Sequence, residues 1–219
     1  MKRVKRWSSV LAVTMIGAAG AVGVIGWLGA SGALADLGGV KIGAPAPAFT
    51  STDLHGQQRT LADFKGKYVV LEWHNQGCPF VKKHYDSGNM QRLQHDLTAQ
   101  GVAWLTVISS APGKQGNVTP AEEEQYLKDQ HAAPTDVLFD PDGTLGHLYG
   151  AKTTPHMFLI DPKGIVVYQG AIDDKPTHEV ADVSGATNYV RAAYDQVKAG
   201  KPVTTATTAP YGCSVKYKD

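Results

Sequence analysis

The segment KYVVLEWHNQGCPFVKKHY, residues 67 to 85, constrains the fold more than any other stretch of the chain. Its first eight residues are a run of β-branched, aliphatic and aromatic side chains without the alternation of a half-exposed strand. They read as a central strand buried on both faces. Pro79 suits the first position of a helix, where no backbone N–H is required. A buried strand therefore hands over to a helix, and Cys78 stands at the junction.

Elements of both kinds follow. NMQRLQHDLTAQG continues helically to a stop at Gly101, with a break at SGN, and VAWLTVIS is a second buried strand. TPAEEEQYLKDQH carries a complete helix start: Thr119 as cap, Pro120 at the first position, Glu122 closing the capping box. TDVLFD is a short strand stopped by PDGT, and LGHLYGA is a short helix. HMFLID and IVVYQGAID are two strands at hairpin spacing around PKG. NYVRAAYDQVKAG closes the series as an amphipathic helix with Val190, Ala193, Tyr194 and Val197 on one face. A Gly/Ala/Pro-rich arm, GGVKIGAPAPAF, and a short hairpin precede the central strand. The order predicts an α/β fold, a mixed central sheet flanked by helices, with an N-terminal extension and a C-terminal tail.

The extension reads as an address. MKRVKRW supplies a basic start, and no charged residue follows between Arg6 and Asp36. Ala33 and Ala35 occupy the small-residue positions of a cleavage site, which places the cut after Ala35. The apolar run is also long enough, at roughly 20 residues, to remain as an anchor. Residues 1–35 are thus a signal peptide or a membrane anchor, and in either case the domain faces an exported, periplasmic or extracytoplasmic compartment. Residues 36–200 form one domain, and residues 201–219 a Thr/Ala-rich, flexible tail carrying Cys213. Once Lys2, Arg3, Lys5 and Arg6 leave, the chain's 21 basic and 20 acidic side chains become 17 and 20, a formal −3. That balance disfavours nucleic acid as a partner.

Cys78 and Cys213 are too few for a disulfide framework, so each needs its own account. At a strand-to-helix junction the Cys78 sulfur lies beside unpaired N–H groups and the positive end of a helix dipole, which favours thiolate. Lys82, one helical turn on, and Lys83 add positive charge there or else form a solvated helix face. The alternative for Cys78 is an inert buried thiol. Val81 occupies the place where a local dithiol would carry its second cysteine, so a local pair is absent. His74, Cys78, His84 and His156 are the candidate metal ligands. One local thiol falls short of the two that Cu(I) sites favour, so no metal and no cofactor is expected. A non-catalytic or copper-handling binding protein stays the alternative to an enzyme.

EWHNQGCPF, the later AKTTPHMFLID and the DPDG turn between them resemble the redoxin branch of the thioredoxin superfamily, the alkyl hydroperoxide reductase and thiol-specific antioxidant (AhpC/TSA) group. CPFVKKHY, TTPHMF and PYGCSVKY resemble a peroxiredoxin-like family within it, and the similarity runs from about Ile42 to the C-terminus. The resemblance implies a thioredoxin-like fold and a thiol-dependent oxidoreductase working through Cys78, supported by Pro79. Its substrate is a peroxide or a disulfide, and its reductant an external thiol such as a thioredoxin-like donor. TTP at residues 153–155 then resembles the cis-proline loop, with Pro155 aiming the Thr154 backbone at the sulfur, and His156 either shaping the site or alternating out of it. Two positions depart from peroxiredoxins, which place Thr or Ser three residues before the cysteine and Pro seven before. Here they hold Asn75, whose amide can still donate, and Leu71. Arg59, Arg92 and Arg191 are candidates for a catalytic arginine. By analogy Cys213 is the resolving cysteine, reaching Cys78 within the chain or across a homodimer; a free thiol or a permanent staple are its alternatives.

Overall fold

The computed structural model describes residues 39–219. The leader reading, residues 1–35, lies outside the described residues, and among those described no helix is long and apolar enough to cross a membrane. The strand read around the LEW segment is β3 (Val69–Trp73), every residue of it buried. The hairpin before it is β1 (Thr50–Asp53) and β2 (Gln58–Thr60). After it come α1 (Pro79–Asp86), α2 (Asn89–Thr98), β4 (Ala103–Ile108), α3 (Pro120–Asp129), β5 (Asp136–Phe139) and α4 (Thr144–Tyr149). A two-residue β6 (Thr153–Thr154) leads into the hairpin β7 (His156–Ile160) and β8 (Val166–Gly170), then α5 (Tyr189–Lys198), and β9 (Cys213–Ser214) ends the series.

Seven strands form one sheet in the order β2-β1-β5-β4-β3-β7-β8, with β3, β4 and β5 parallel and the others antiparallel to their neighbours. The mixed sheet follows from the connections: helices carry the parallel crossovers, and tight turns join the hairpins. Side chains of β3 alternate between two apolar layers. Val69, Leu71 and Trp73 pack with Leu145 and Tyr149 of α4 on one face, while Val70 shares the other with α1, α2 and α5. Burying each such aliphatic side chain stabilises by about 1.5–3 kcal/mol.

Several starts and stops follow local chemistry. Thr119 accepts a bond from the Glu122 amide while Glu122 accepts one from the Thr119 amide, so the capping box forms as expected. The SGN break is a true end: Gly88 takes a left-handed conformation (φ 67°) between α1 and α2, which only glycine adopts at no steric cost.

The tail is not a loose connector among the described residues. It runs along β8, where the Gln169 amide donates to Ala206 and the Thr208 amide to Gln169. It then pairs β9 with β6, Thr154 opposite Cys213. Tyr211 and Cys213 pack with the α1 layer, and Val215 and Tyr217 with the opposite one.

Candidate active site

The turn after β3 is locked by Asn75. Its Oδ1 accepts from the Gly77 amide (2.8 Å), its Nδ2 donates to the Gln115 carbonyl (3.2 Å), and its own carbonyl accepts from the Cys78 amide (2.9 Å). Cys78 is the N-cap of α1 and Pro79 its first residue, so the sulfur sits at the start of a helix. It is fully buried, at 0 % exposure.

Two segments distant in sequence cover it. The Cys78 thiol donates to the Thr154 carbonyl (3.1 Å), and the Thr154–Pro155 peptide is cis, as the resemblance implied for that loop. Because β9 pairs with β6, Thr154 opposite Cys213, the second free thiol arrives beside the first. Gly212 makes that approach feasible: at φ 135° its Cα lies so close that a Cβ would fall 2.1 Å from the Thr154 oxygen. The two sulfurs hold protons unequally. Burial, the largest influence on Cys78, opposes its thiolate, but the neighbouring Cys213 thiol and the backbone of Cys213 and Val81 outweigh it and lower its pKa. Burial first, and then the Cys78 sulfur, push Cys213 up to about 11.

Anchors flank Cys213 on both sides. Tyr211 donates through its hydroxyl to the buried Asp173 carboxyl, and its oxygen lies 3.2 Å from His84 Nε2. Asn89 donates to His84 Nδ1 (2.9 Å), which fixes the proton on Nε2 and lets that nitrogen donate to Tyr211. Burial depresses the His84 pKa to about 4, in keeping with a neutral ring. Beyond Cys213, Tyr217 stacks on His147 at 4.0 Å and donates to the Ala151 carbonyl (2.8 Å).

Of the residues singled out from sequence, Cys78, Pro79, Thr154, Pro155 and Cys213 converge. The Asn75 amide is turned to Gln115 rather than to the sulfur. Lys82 is exposed on α1. Lys83 is neither a solvated face nor a neighbour acting on the thiol: it is buried, donating to the Lys175 carbonyl (2.7 Å) beside Asp173 at 3.8 Å. The arginine candidates are engaged elsewhere, Arg59 with Asp53 and Asp136, Arg92 with the Ser87 carbonyl, Arg191 with Asp195 and Asp96. The four candidate metal ligands do not gather at one point: His74 stays behind Cys78, and the other two lie elsewhere. His156 alternates out of the site onto Phe158 (4.5 Å), in the layer opposite Cys78, and His84 belongs to the tail anchor. Among the described residues no group of three or more His, Cys, Asp or Glu could hold a metal ion.

Sequence reading missed the acids beneath the site. Glu72 of β3 is fully buried and accepts from Tyr85 (2.9 Å), Trp104 (2.8 Å) and Gln94 (3.3 Å), donors that offset the cost of burying a carboxyl group. A charged residue inside an otherwise apolar run was the available signal. Glu123, also fully buried, has no such signal, being the middle of three consecutive glutamates.

A model of the AhpC/TSA family matches residues 42–169. Thiol-disulfide oxidoreductase ResA of Bacillus thuringiensis subsp. konkukian is 29% identical over 130 residues, 59% of this chain and 69% of that protein. Thiol:disulfide interchange protein DsbE of Pseudomonas aeruginosa is 31% identical over 153 residues, 66% and 76% respectively. Among solved structures, an uncharacterized conserved protein from Geobacillus kaustophilus superposes with a TM-score of 0.69 at 26% identity, covering 81% of this chain and 93% of that one. A hypothetical protein from Sinorhizobium meliloti 1021 does so with a TM-score of 0.66 at 27% identity, covering 82% and 96%. The family match takes in the central strand, Cys78 and the cis-proline loop, over more than half of the sequence. On that ground the chain belongs to the AhpC/TSA family of the thioredoxin superfamily.

Proposed function

We propose that this protein is an exported thiol oxidoreductase that exchanges disulfides through Cys78 and resolves them through Cys213. The observation that carries the reading is the meeting of two free cysteines at Thr154, Cys78 through its bond to the Thr154 carbonyl and Cys213 through the β6–β9 pairing, with proton affinities shifted in opposite directions. The Cys78 thiolate attacks one sulfur of a substrate disulfide. The S–S bond breaks, a mixed disulfide forms at Cys78, and the other substrate sulfur leaves as a thiolate. With its charge gone, Cys78 no longer opposes ionisation of Cys213. The Cys213 thiol attacks the Cys78 sulfur, its proton passes to the second substrate sulfur as that leaves, and a Cys78–Cys213 disulfide remains. Two electrons have passed from the dithiol to the substrate, and an external thiol donor returns them.

The names of ResA and DsbE support disulfide exchange, and the leader sequence supports export. A peroxide would meet the same thiolate, but the arginines among the described residues are engaged away from the sulfur, so disulfides are the favoured substrate class. The test is turnover of a model disulfide by the wild type and by Cys213→Ser, with disulfide mapping by mass spectrometry. A trapped mixed disulfide at Cys78 in the variant and a Cys78–Cys213 link in the wild type are expected. Undiminished turnover in Cys213→Ser sinks the resolving role, and turnover that survives Cys78→Ser sinks the whole reading. For the address, the N-terminus of the exported product is expected at Asp36 if the leader is removed, or at Met1 in the membrane if it anchors.

A further inference from the structure

Behind the dithiol lies a second group of buried ionisable side chains that the exchange reaction above does not use. His74, the residue after β3, has its Nδ1 3.7 Å from Glu72 Oε1 and its Nε2 3.8 Å from Glu123 Oε1 of α3. Neither ring nitrogen has a hydrogen-bond partner, and neither does either oxygen of Glu123. Buried polar atoms are paired as a rule, so four orphans in one pocket need an explanation. Every other titratable group facing the imidazole is a phenol or the thiol: Tyr85 of α1, with ring centroids 5.1 Å apart, Tyr126 of α3 at 5.3 Å, and Cys78 in the turn below. Neither phenol supplies a charge near neutral pH, since burial raises both well above the usual range for tyrosine. The carboxyl groups and the sulfur are therefore the groups that set the charge of the ring.

We infer that Glu123 is a positioning residue for the reaction of Cys78: paired with His74, it holds the imidazole as a cation near the sulfur, so that loss of the Cys78 proton is matched by a proton on His74. This inference rests on the disulfide-exchange reading and assigns its proton balance. The S–H bond of Cys78 is broken, an N–H bond is made on the imidazole, and the net charge of the buried site does not change. When Cys78 then enters a mixed disulfide, its negative charge is gone, and the same proton can pass to the departing thiolate, leaving a neutral ring.

Charge coupling points the same way. Burial alone would push His74 down, yet Glu123, Glu72 and the Cys78 sulfur together raise its pKa. Coupling between two sites is reciprocal, so a sulfur that favours the imidazolium is itself favoured as thiolate by it. Glu123 is suited to this role because it has no donor of its own. Burial raises its pKa and the His74 imidazole works against that rise.

The test is the thiolate titration of the reduced full chain, read by ultraviolet absorbance, in the wild type and in Glu123→Gln, which keeps shape and removes charge. Without the Glu123 charge the imidazolium is lost, and loss of that opposite charge moves the midpoint of the sulfur by about one unit or more, so Cys78 is expected to titrate higher, with about tenfold less thiolate below the midpoint. A folded Glu123→Gln with an unmoved midpoint overturns the inference. A second measurement needs no change at Glu123: nitrogen-15 shifts of His74 in the reduced protein should titrate about one unit lower in Cys78→Ala than in the wild type. An identical His74 midpoint in the two proteins also overturns it. Disulfide turnover is scored separately. A shifted midpoint without wild-type turnover upholds the charge pairing and removes the oxidoreductase reading; turnover with no shift removes the pairing alone.

Discussion

Cys78 has no exposed surface, so any reagent or substrate must wait for its cover to open, and Tyr211 is the strongest polar anchor of that cover. Tyr211→Phe keeps the ring against Phe80 and beneath the Lys83 ammonium but deletes the hydroxyl that donates to Asp173. Asp173 retains the Lys175 amide (2.9 Å) on one oxygen, while its other oxygen has no hydrogen bond and lies 3.8 Å from the Lys83 ammonium. A hydrogen bond to a charged, buried acceptor contributes about 1.5–3 kcal/mol. If that bond exists only while the tail is seated, the open fraction of the reduced protein rises by the corresponding factor, about tenfold to a hundredfold. Alkylation of Cys78, followed by mass spectrometry at fixed pH under reagent-limited conditions, should accelerate by that factor. The open state is the same species in both proteins, so a change in thiolate character does not imitate the effect. An unchanged rate in a folded Tyr211→Phe protein would refute the reasoning, because it would mean that reagents reach the sulfur without the tail leaving.

Two further outcomes follow from the same geometry and from the buried histidines. Gly212→Ala puts a Cβ 2.1 Å from the Thr154 oxygen at a backbone angle that side chains avoid, so β9 cannot seat; the yield of the Cys78–Cys213 link on oxidation should fall sharply, with little change in the far-ultraviolet spectrum of the domain. Burial lowers the pKa of His84 to about 4 and of His156 to about 3, against 6.5 in the unfolded chain, so below pH 6.5 the unfolded state binds the more protons. Stability should therefore fall as the pH drops from 6.5 toward 4, by a few kcal/mol in all, and His156→Phe should flatten the slope measured by urea unfolding. The raised His74 acts in the opposite sense, its contribution being lost as pH rises through its folded value. Stability that increased on acidification would contradict the assignment.

Much of the fold was legible because its signals are local. A continuous β-branched run, a proline at the first turn and a capping box each act within a few residues, and β3, α1 and α3 formed where those signals stood. Cys78 was legible for the same reason. What sequence could not supply was the partner of a long-range contact. The Thr/Ala-rich residues before Cys213 carry no periodicity, and their docking depends on hydrogen bonds to β8 and on Tyr211 finding Asp173 across the fold. Lys83 shows the same limit in reverse: its place next to Lys82, one turn beyond Cys78, suggested an electrostatic role or a solvated face, whereas the twist of α1 turns it toward the loop at Lys175. Glu123 is indistinguishable in sequence from Glu122 and Glu124, and only the seating of α3 against His74 selects it.

The path of the tail has a mechanical consequence. It crosses the sheet edge from one apolar layer to the other, so it works as a stitch, with Tyr211 and Cys213 on the near side and Val215 and Tyr217 on the far side. Under tension applied beyond Tyr217, the contacts would release in turn, first the Tyr217 stack on His147, then Val215, then the short β9 pairing. In the reduced protein that unzipping would run on through Tyr211 and bare the Cys78 sulfur. Once the two cysteines are joined, the load would stop at Cys213 and pass into the junction of α1 with β3, a strand buried at every residue, so the redox state decides whether a pull on the tail opens the site or is borne by the core.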